Sequence, residues 1–130
     1  MKVLADTNIL ISALINPLGH SAQVLSHISE RHQLILSDFN VSELRDVTER
    51  KFPQKLKTIE AFLDALSYDL IIAPVSPDRR IGDPKDAPIL NAAIAADVDI
   101  VVSGDSHFQS LFLEKPRVLS PSEYIVNHIE

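Results

Sequence analysis

Short apolar runs recur along the chain, separated by stretches in which apolar residues return every three or four positions. The runs are Val3-Leu4-Ala5, Leu34-Ile35-Leu36, Leu70-Ile71-Ile72, Ile100-Val101-Val102 and Arg117-Val118-Leu119. Runs this short and this rich in branched aliphatics read as strands of a buried parallel sheet. Residues 6–15 read as a turn into a helix that ends before Pro17. Residues 20–31 carry Val24, Leu25 and Ile28 on one helical face, and residues 40–50 place Val41, Leu44 and Val47 at three-residue steps. Residues 54–67 repeat the pattern with Leu56, Ile59, Leu63 and Leu66. Three prolines and a glycine make 74–86 an extended loop. Residues 87–96 read as a helix of small residues, 107–113 as a short helix, and 121–128 as a closing helix with Pro121 in its first turn. Strands alternating with helices predict a three-layer α/β/α fold, a parallel sheet of about five short strands with helices on both faces. Its crossovers should be right-handed.

The chain has 130 residues, and residues 1–130 are expected to form a single domain. With 45% hydrophobic and 23% charged residues, it has enough apolar material for a core. There is no cysteine, which excludes disulfides, thiolate metal sites and cysteine nucleophiles. No apolar run approaches the roughly 18 residues of a membrane span, and Asp6 interrupts the N-terminal run too early for a signal peptide. A cytoplasmic protein with no membrane partner is expected. The net charge of -6 argues against a module that grips a polyanion by charge alone. It leaves room for an enzyme whose bound cations reverse the sign of its site.

In parallel sheets of this kind ligands sit beyond the carboxyl ends of the strands. Asp6 follows the first strand and Asp105 the fourth, after Ser103-Gly104. Asp86 opens the helix leading into the fourth strand, and Glu43 is expected in the first turn of the helix after the second. Clustered carboxylates repel unless a cation is present. Mg²⁺ and Mn²⁺ favour such oxygen ligands, and metals of this kind clamp phosphate oxygens and activate water for attack at phosphorus. Singly, each acid also reads as a helix N-cap, and Asn40-Val41-Ser42-Glu43 reads as a capping box with Asn40 at the cap. Four acids gathered at one edge are better explained by metal.

Four segments taken in order resemble the PIN-domain nucleases. They are Val3-Leu4-Ala5-Asp6-Thr7-Asn8-Ile9-Leu10, Ser42-Glu43-Leu44, Asp83-Pro84-Lys85-Asp86 and Val102-Ser103-Gly104-Asp105. The resemblance runs from Val3 to about Tyr124 and is nearest to VapC-like ribonucleases, the toxin components of prokaryotic toxin–antitoxin modules. It implies a PIN-like α/β/α fold and a Mg²⁺- or Mn²⁺-dependent endoribonuclease. Asp6, Glu43, Asp86 and Asp105 match the family's catalytic and metal-binding acids. Ser103 matches the small hydroxyl residue two before the last acid, and Asn8 the polar residue after the first. Asp83, three residues before Asp86, is an alternative ligand; Asp86 fits the pattern better because it directly precedes the helix. The resemblance also implies an RNA substrate, a homodimer and a small antitoxin partner. An apolar groove near the helices expected at 20–31 and 54–67 would receive an antitoxin helix.

Other chemistry has weaker support. Arg79, Arg80 and Lys85 could guide phosphate, but a solvated loop explains them as well, as a wet helix face explains Lys51, Lys55 and Lys57. His107 could assist proton transfer. His20, His27, His32 and His128 show no zinc-type spacing. No serine sits in a nucleophile elbow, and three glycines cannot build a P-loop or a dinucleotide turn. A phosphatase-type hydrolase would want an Asp-x-Asp where the chain has Asp6-Thr7-Asn8. The remaining rival is a catalytically silent PIN-like domain that acts by binding protein or RNA.

Overall fold

The chain begins with Lys2-Val3-Leu4-Ala5, whose last three side chains are buried on alternate faces of a strand, β1 (Lys2–Ala5). The structure, a computed structural model, describes residues 1–72, 92–104 and 116–129. After β1 come α1 (Thr7–Ile15), α2 (His20–Arg31), β2 (Gln33–Ser37) and α3 (Asp38–Lys51). A 3-10 helix (Pro53–Thr58) then leads into α4 (Ile59–Ala65) and β3 (Tyr68–Ile71). Residues 92–95 are helical, and β4 (Ile100–Val102), β5 (Arg117–Leu119) and α5 (Pro121–Tyr124) follow. The last helix continues as a π-helical turn over Ile125–Ile129.

The described strands form one five-stranded sheet in the order β3-β2-β1-β4-β5, with every pair parallel. β1 is central: Leu4 stands beside Ile35 on one side and Val101 on the other. Alternation along these strands divides the core. Val3, Ala5, Leu34, Leu36, Ile100 and Val102 face the larger cluster, covered by apolar residues of α1 to α5. Leu4, Ile35 and Val101 face the smaller one, where Ala92, Ala93 and Val98 pack. This is the expected α/β/α layering.

Several boundaries differ from expectation. α3 starts at Asp38, not residue 40, because Ser37 is its N-cap and Asn40, the third residue of the helix, closes the capping box. The helix expected over 54–67 is split. Pro53 opens the 3-10 segment, Leu56 is 41% exposed, and the core-facing residues of the true helix are Ile59 and Leu63. The third strand spans Tyr68–Ile71, two residues earlier than its apolar triplet suggests. Its edge position leaves Leu70 exposed, and Ile72 lies beyond the ladder. The readings for 74–86 and 107–113, and most of 87–96, fall outside the described residues.

Candidate functional site

Asp6 ends the central strand and caps the helix that follows. Its amide donates to Val102 O at 2.9 Å, and its carbonyl accepts from Ile9 N at 3.0 Å. The carboxyl group is therefore carried at a strand-to-helix corner and is only 4% exposed. Oδ1 accepts from the Thr7 amide at 2.7 Å, and Oδ2 accepts from the Ser103 hydroxyl at 2.9 Å. Ser103 directly follows β4, whose Val102 is in register with Ala5, so the parallel pairing brings the two side chains together. A buried carboxylate is tolerable only when its oxygens are satisfied in this way.

The polar chain continues sideways. The Thr7 hydroxyl accepts from Asn40 Nδ2 at 3.1 Å, and Asn40 Oδ1 accepts from Ser37 N at 3.0 Å and from Ser37 Oγ at 2.9 Å. Thr7, Ser37 and Asn40 are all buried. β2 runs into α3 without a connecting residue, since Ser37 both ends the strand and caps the helix. This lack of slack sets the start of α3 beside Asp6.

Glu43 is half-buried in the second turn of α3, not the first, as a consequence of the earlier helix start. It lies three residues beyond Asn40, and residues so spaced share a flank of a helix. Glu43 therefore belongs to the flank whose earlier turn touches Thr7. Asn8 is exposed in the first turn of α1. Asp83, Asp86 and Asp105 lie outside the described residues, as do Arg79, Arg80, Lys85 and His107. Among the described residues no group of three or more acidic or histidine side chains is placed to hold a metal ion. The donors that do meet at this edge are oxygens, the Asp6 carboxylate and the Ser103 hydroxyl. A hard divalent cation suits such a set.

Sequence reasoning missed Thr7 and gave Asn40 the wrong part. The available signal was the buried face of α3, where Asn40 and Thr48 share the helical spacing of Leu44. A polar residue on an apolar face needs a partner. Thr48 finds one inside its own helix, its hydroxyl donating to Leu44 O at 2.6 Å, whereas Asn40 reaches across to α1.

Two further features lie away from this edge. α1 and α2 meet at 113°. With the 3-10 segment and α4 they frame an open apolar groove of about 470 Å³, lined in part by Leu14, Pro17, Ala22, Leu25, Phe62 and Leu66. At the opposite, N-terminal edge of the sheet, His27 Nδ1 and Tyr124 Oη are 2.8 Å apart. Rings of His32 and His128 pack beside them, the Tyr124 and His128 centroids 4.9 Å apart. Of the histidines that look scattered in the sequence, His27, His32 and His128 are thus gathered and His20 is not; the three form no metal-ligand group.

A central-strand aspartate, buried and anchored at the carboxyl edge of a five-stranded parallel sheet, defines an α/β protein with its candidate site beyond the strand ends. The PIN domain model matches residues 2–107, and the chain belongs to the PIN-domain family, a family of nucleases. Similar solved structures include DNA-bound VapBC from Salmonella typhimurium, with TM-score 0.70 and 17% identity over 93% of this chain and 98% of that one. VapBC2 from Rickettsia felis bound to a DNA fragment from their promoter gives TM-score 0.67 and 15% identity, over 92% and 98% respectively. PAE2754 from Pyrobaculum aerophilum gives TM-score 0.67 and 14% identity, over 97% and 88%. At these identities the likeness is one of fold. No curated protein sequence matches the chain significantly. No single helix among the described residues is long and apolar enough to cross a membrane.

Proposed function

We propose that this protein is a metal-dependent endoribonuclease of the cytoplasm and the toxin of a toxin–antitoxin pair. The observation that carries the reading is the buried Asp6 carboxylate, held by Thr7 and Ser103 at the carboxyl edge of the central strand. Asp6, Glu43, Asp86 and Asp105 are the proposed ligands of Mg²⁺ or Mn²⁺, with Ser103, Asn8 and Asp83 in support. The cation would neutralise phosphate charge and acidify the attacking water. The protein's own part is to hold the acids. The Thr7 amide and the Ser103 hydroxyl fix the Asp6 rotamer, with one hydrogen bond to each carboxylate oxygen. The net charge of -6 is compatible with an RNA substrate because attraction then comes from the loaded site.

The partner reading is supported by the VapBC complexes among the similar structures and by the apolar groove between α1, α2 and α4. An amphipathic antitoxin helix is proposed to lie in that groove, and the protein is proposed to be a homodimer.

The test is cleavage of single-stranded and structured RNAs in Mg²⁺, in Mn²⁺ and in EDTA, with Asp6→Asn alongside. Cleavage that needs metal and disappears in the variant is expected. Unchanged cleavage by Asp6→Asn would remove Asp6 from the site. Metal binding without turnover on any RNA would favour the silent binding domain.

A further inference from the structure

Asn40 is fully buried in the first turn of a helix whose other buried residues there and in the next turn are Val41 and Leu44. A capping box explains part of its bonding, since its amide donates to Ser37 Oγ at 3.0 Å and its Oδ1 accepts from Ser37 N. Glutamate or glutamine, the usual residues at this box position, reach back without facing the core. Here the side chain is short and turned inward. Its amide nitrogen crosses from α3 to α1 and donates to the Thr7 hydroxyl. The same Thr7 gives its backbone amide to Asp6 Oδ1 at 2.7 Å. Thr7 is thereby held at its side chain by α3 while it holds the Asp6 carboxylate with its main chain. Asn40 in turn precedes Glu43 by three residues on one rigid helix.

We propose that Asn40 is a positioning residue: through Thr7 it fixes the Asp6 carboxylate and couples it to the helix that carries Glu43. The consequence for metal binding rests on the functional reading above; the coupling to Asp6 does not. Groups that orient metal ligands from behind commonly change affinity by about 10- to 100-fold when removed.

Three variants separate positioning from capping. Asn40→Ala removes both roles. Thr7→Val deletes the hydroxyl that receives Asn40 but keeps the amide that holds Asp6, and it preserves shape should Asn40→Ala fail to fold. Ser37→Ala weakens the cap and leaves the Asn40–Thr7 bond. Two quantities are measured on the intact protein: Mn²⁺ affinity by calorimetry, and the hydrogen-exchange protection of the residue 7 amide by NMR. Asn40→Ala and Thr7→Val are expected to weaken Mn²⁺ binding about 10-fold and to lower protection of that amide. Ser37→Ala is expected to lower Tm and change neither. If Asn40→Ala and Thr7→Val lower Tm while Mn²⁺ affinity and residue 7 protection stay at wild-type values, Asn40 is only a cap and the proposal is overturned. If the wild type takes up no Mn²⁺, the metal reading fails, and amide protection alone decides: loss of protection in both variants upholds the coupling, and unchanged protection overturns it.

Discussion

At the carboxyl edge of the sheet, Ser37, Asn40, Thr7, Asp6 and Ser103 form a continuous chain of hydrogen bonds between 2.7 and 3.1 Å. At the amino edge, His27, His32, Tyr124 and His128 meet mostly ring against ring, with one polar link from His27 to Tyr124. There His128 Nε2 is the one buried side-chain polar atom, among the described residues, without a hydrogen-bond partner. Both clusters are polar groups against a core, but they meet the cost of burial differently. The first satisfies its carboxylate with hydrogen bonds; the second disfavours the charge on two of its imidazoles, His32 and His128. Burial lowers the pKa of His32, helped by the chain's terminal ammonium and the neighbouring His27 and His128. Burial also lowers His128, with Arg117 and His27 adding to the effect. Burial raises the Tyr124 phenol to about 12.

The sharpest way to break this contrast is at Asp6. Asparagine can still cap α1, so Asp6→Asn should fold, yet the proposed cleavage should fall by more than about 100-fold, read as initial rate on RNA in Mn²⁺. The corresponding loss at the other edge is one of stability. Tyr124→Phe keeps the ring packing and removes the hydroxyl from His27 Nδ1, which should cost about 1–2 kcal/mol in a urea melt with cleavage unchanged.

Acid should separate the two edges next. His32 and His128 titrate lower in the folded protein than the 6.5 of a free imidazole, so the unfolded chain binds more protons below that value. Their contribution is complete above about pH 6.5 and is lost as pH falls through the lower folded values. Tm measured from pH 7.5 to 5.5 should decline, and His128→Leu should flatten the decline. The smallest effect is expected far from both clusters. Arg45 and Glu60 pair at 2.6 Å, but their side chains are 48% and 67% exposed, so Arg45→Ala should change stability by no more than about 1 kcal/mol. A larger change would mean that the α3 surface contributes more than an exposed ion pair.

The sheet was most legible where short aliphatic runs coincide with strands. Ile100–Val102 and Arg117–Leu119 have the bounds their apolar runs suggest, and α2 spans the 20–31 of its amphipathic pattern. Legibility failed at an edge and at a corner. β3 is half exposed, so Tyr68 and Asp69 belong to the strand although the apolar signal begins at Leu70. At the β2–α3 corner the box expected from Asn40 to Glu43 gives way to one from Ser37 to Asn40, because the strand ends at Ser37 and the helix starts there. Residues 121–128, expected to be one helix, become π-helical after Tyr124, and Ile125 and Ile129 both reach the main core. Within the site, Asp6 and Ser103 were visible as motif residues. The Asn40–Thr7 bond was not, because it joins residues 33 apart that no local pattern relates.

The bond from Ser103 to Asp6 spans 97 residues of chain. β1 and its partner β2 are both encoded within the first 37 residues, whereas β4 begins only at Ile100. A ribosome that has made the Asp6 corner must still add most of the protein before the hydroxyl that steadies it is available. The β4 flank of the central strand and the hydroxyl that steadies its carboxylate are both encoded after residue 99, so the corner is made first and its cross-strand partner late.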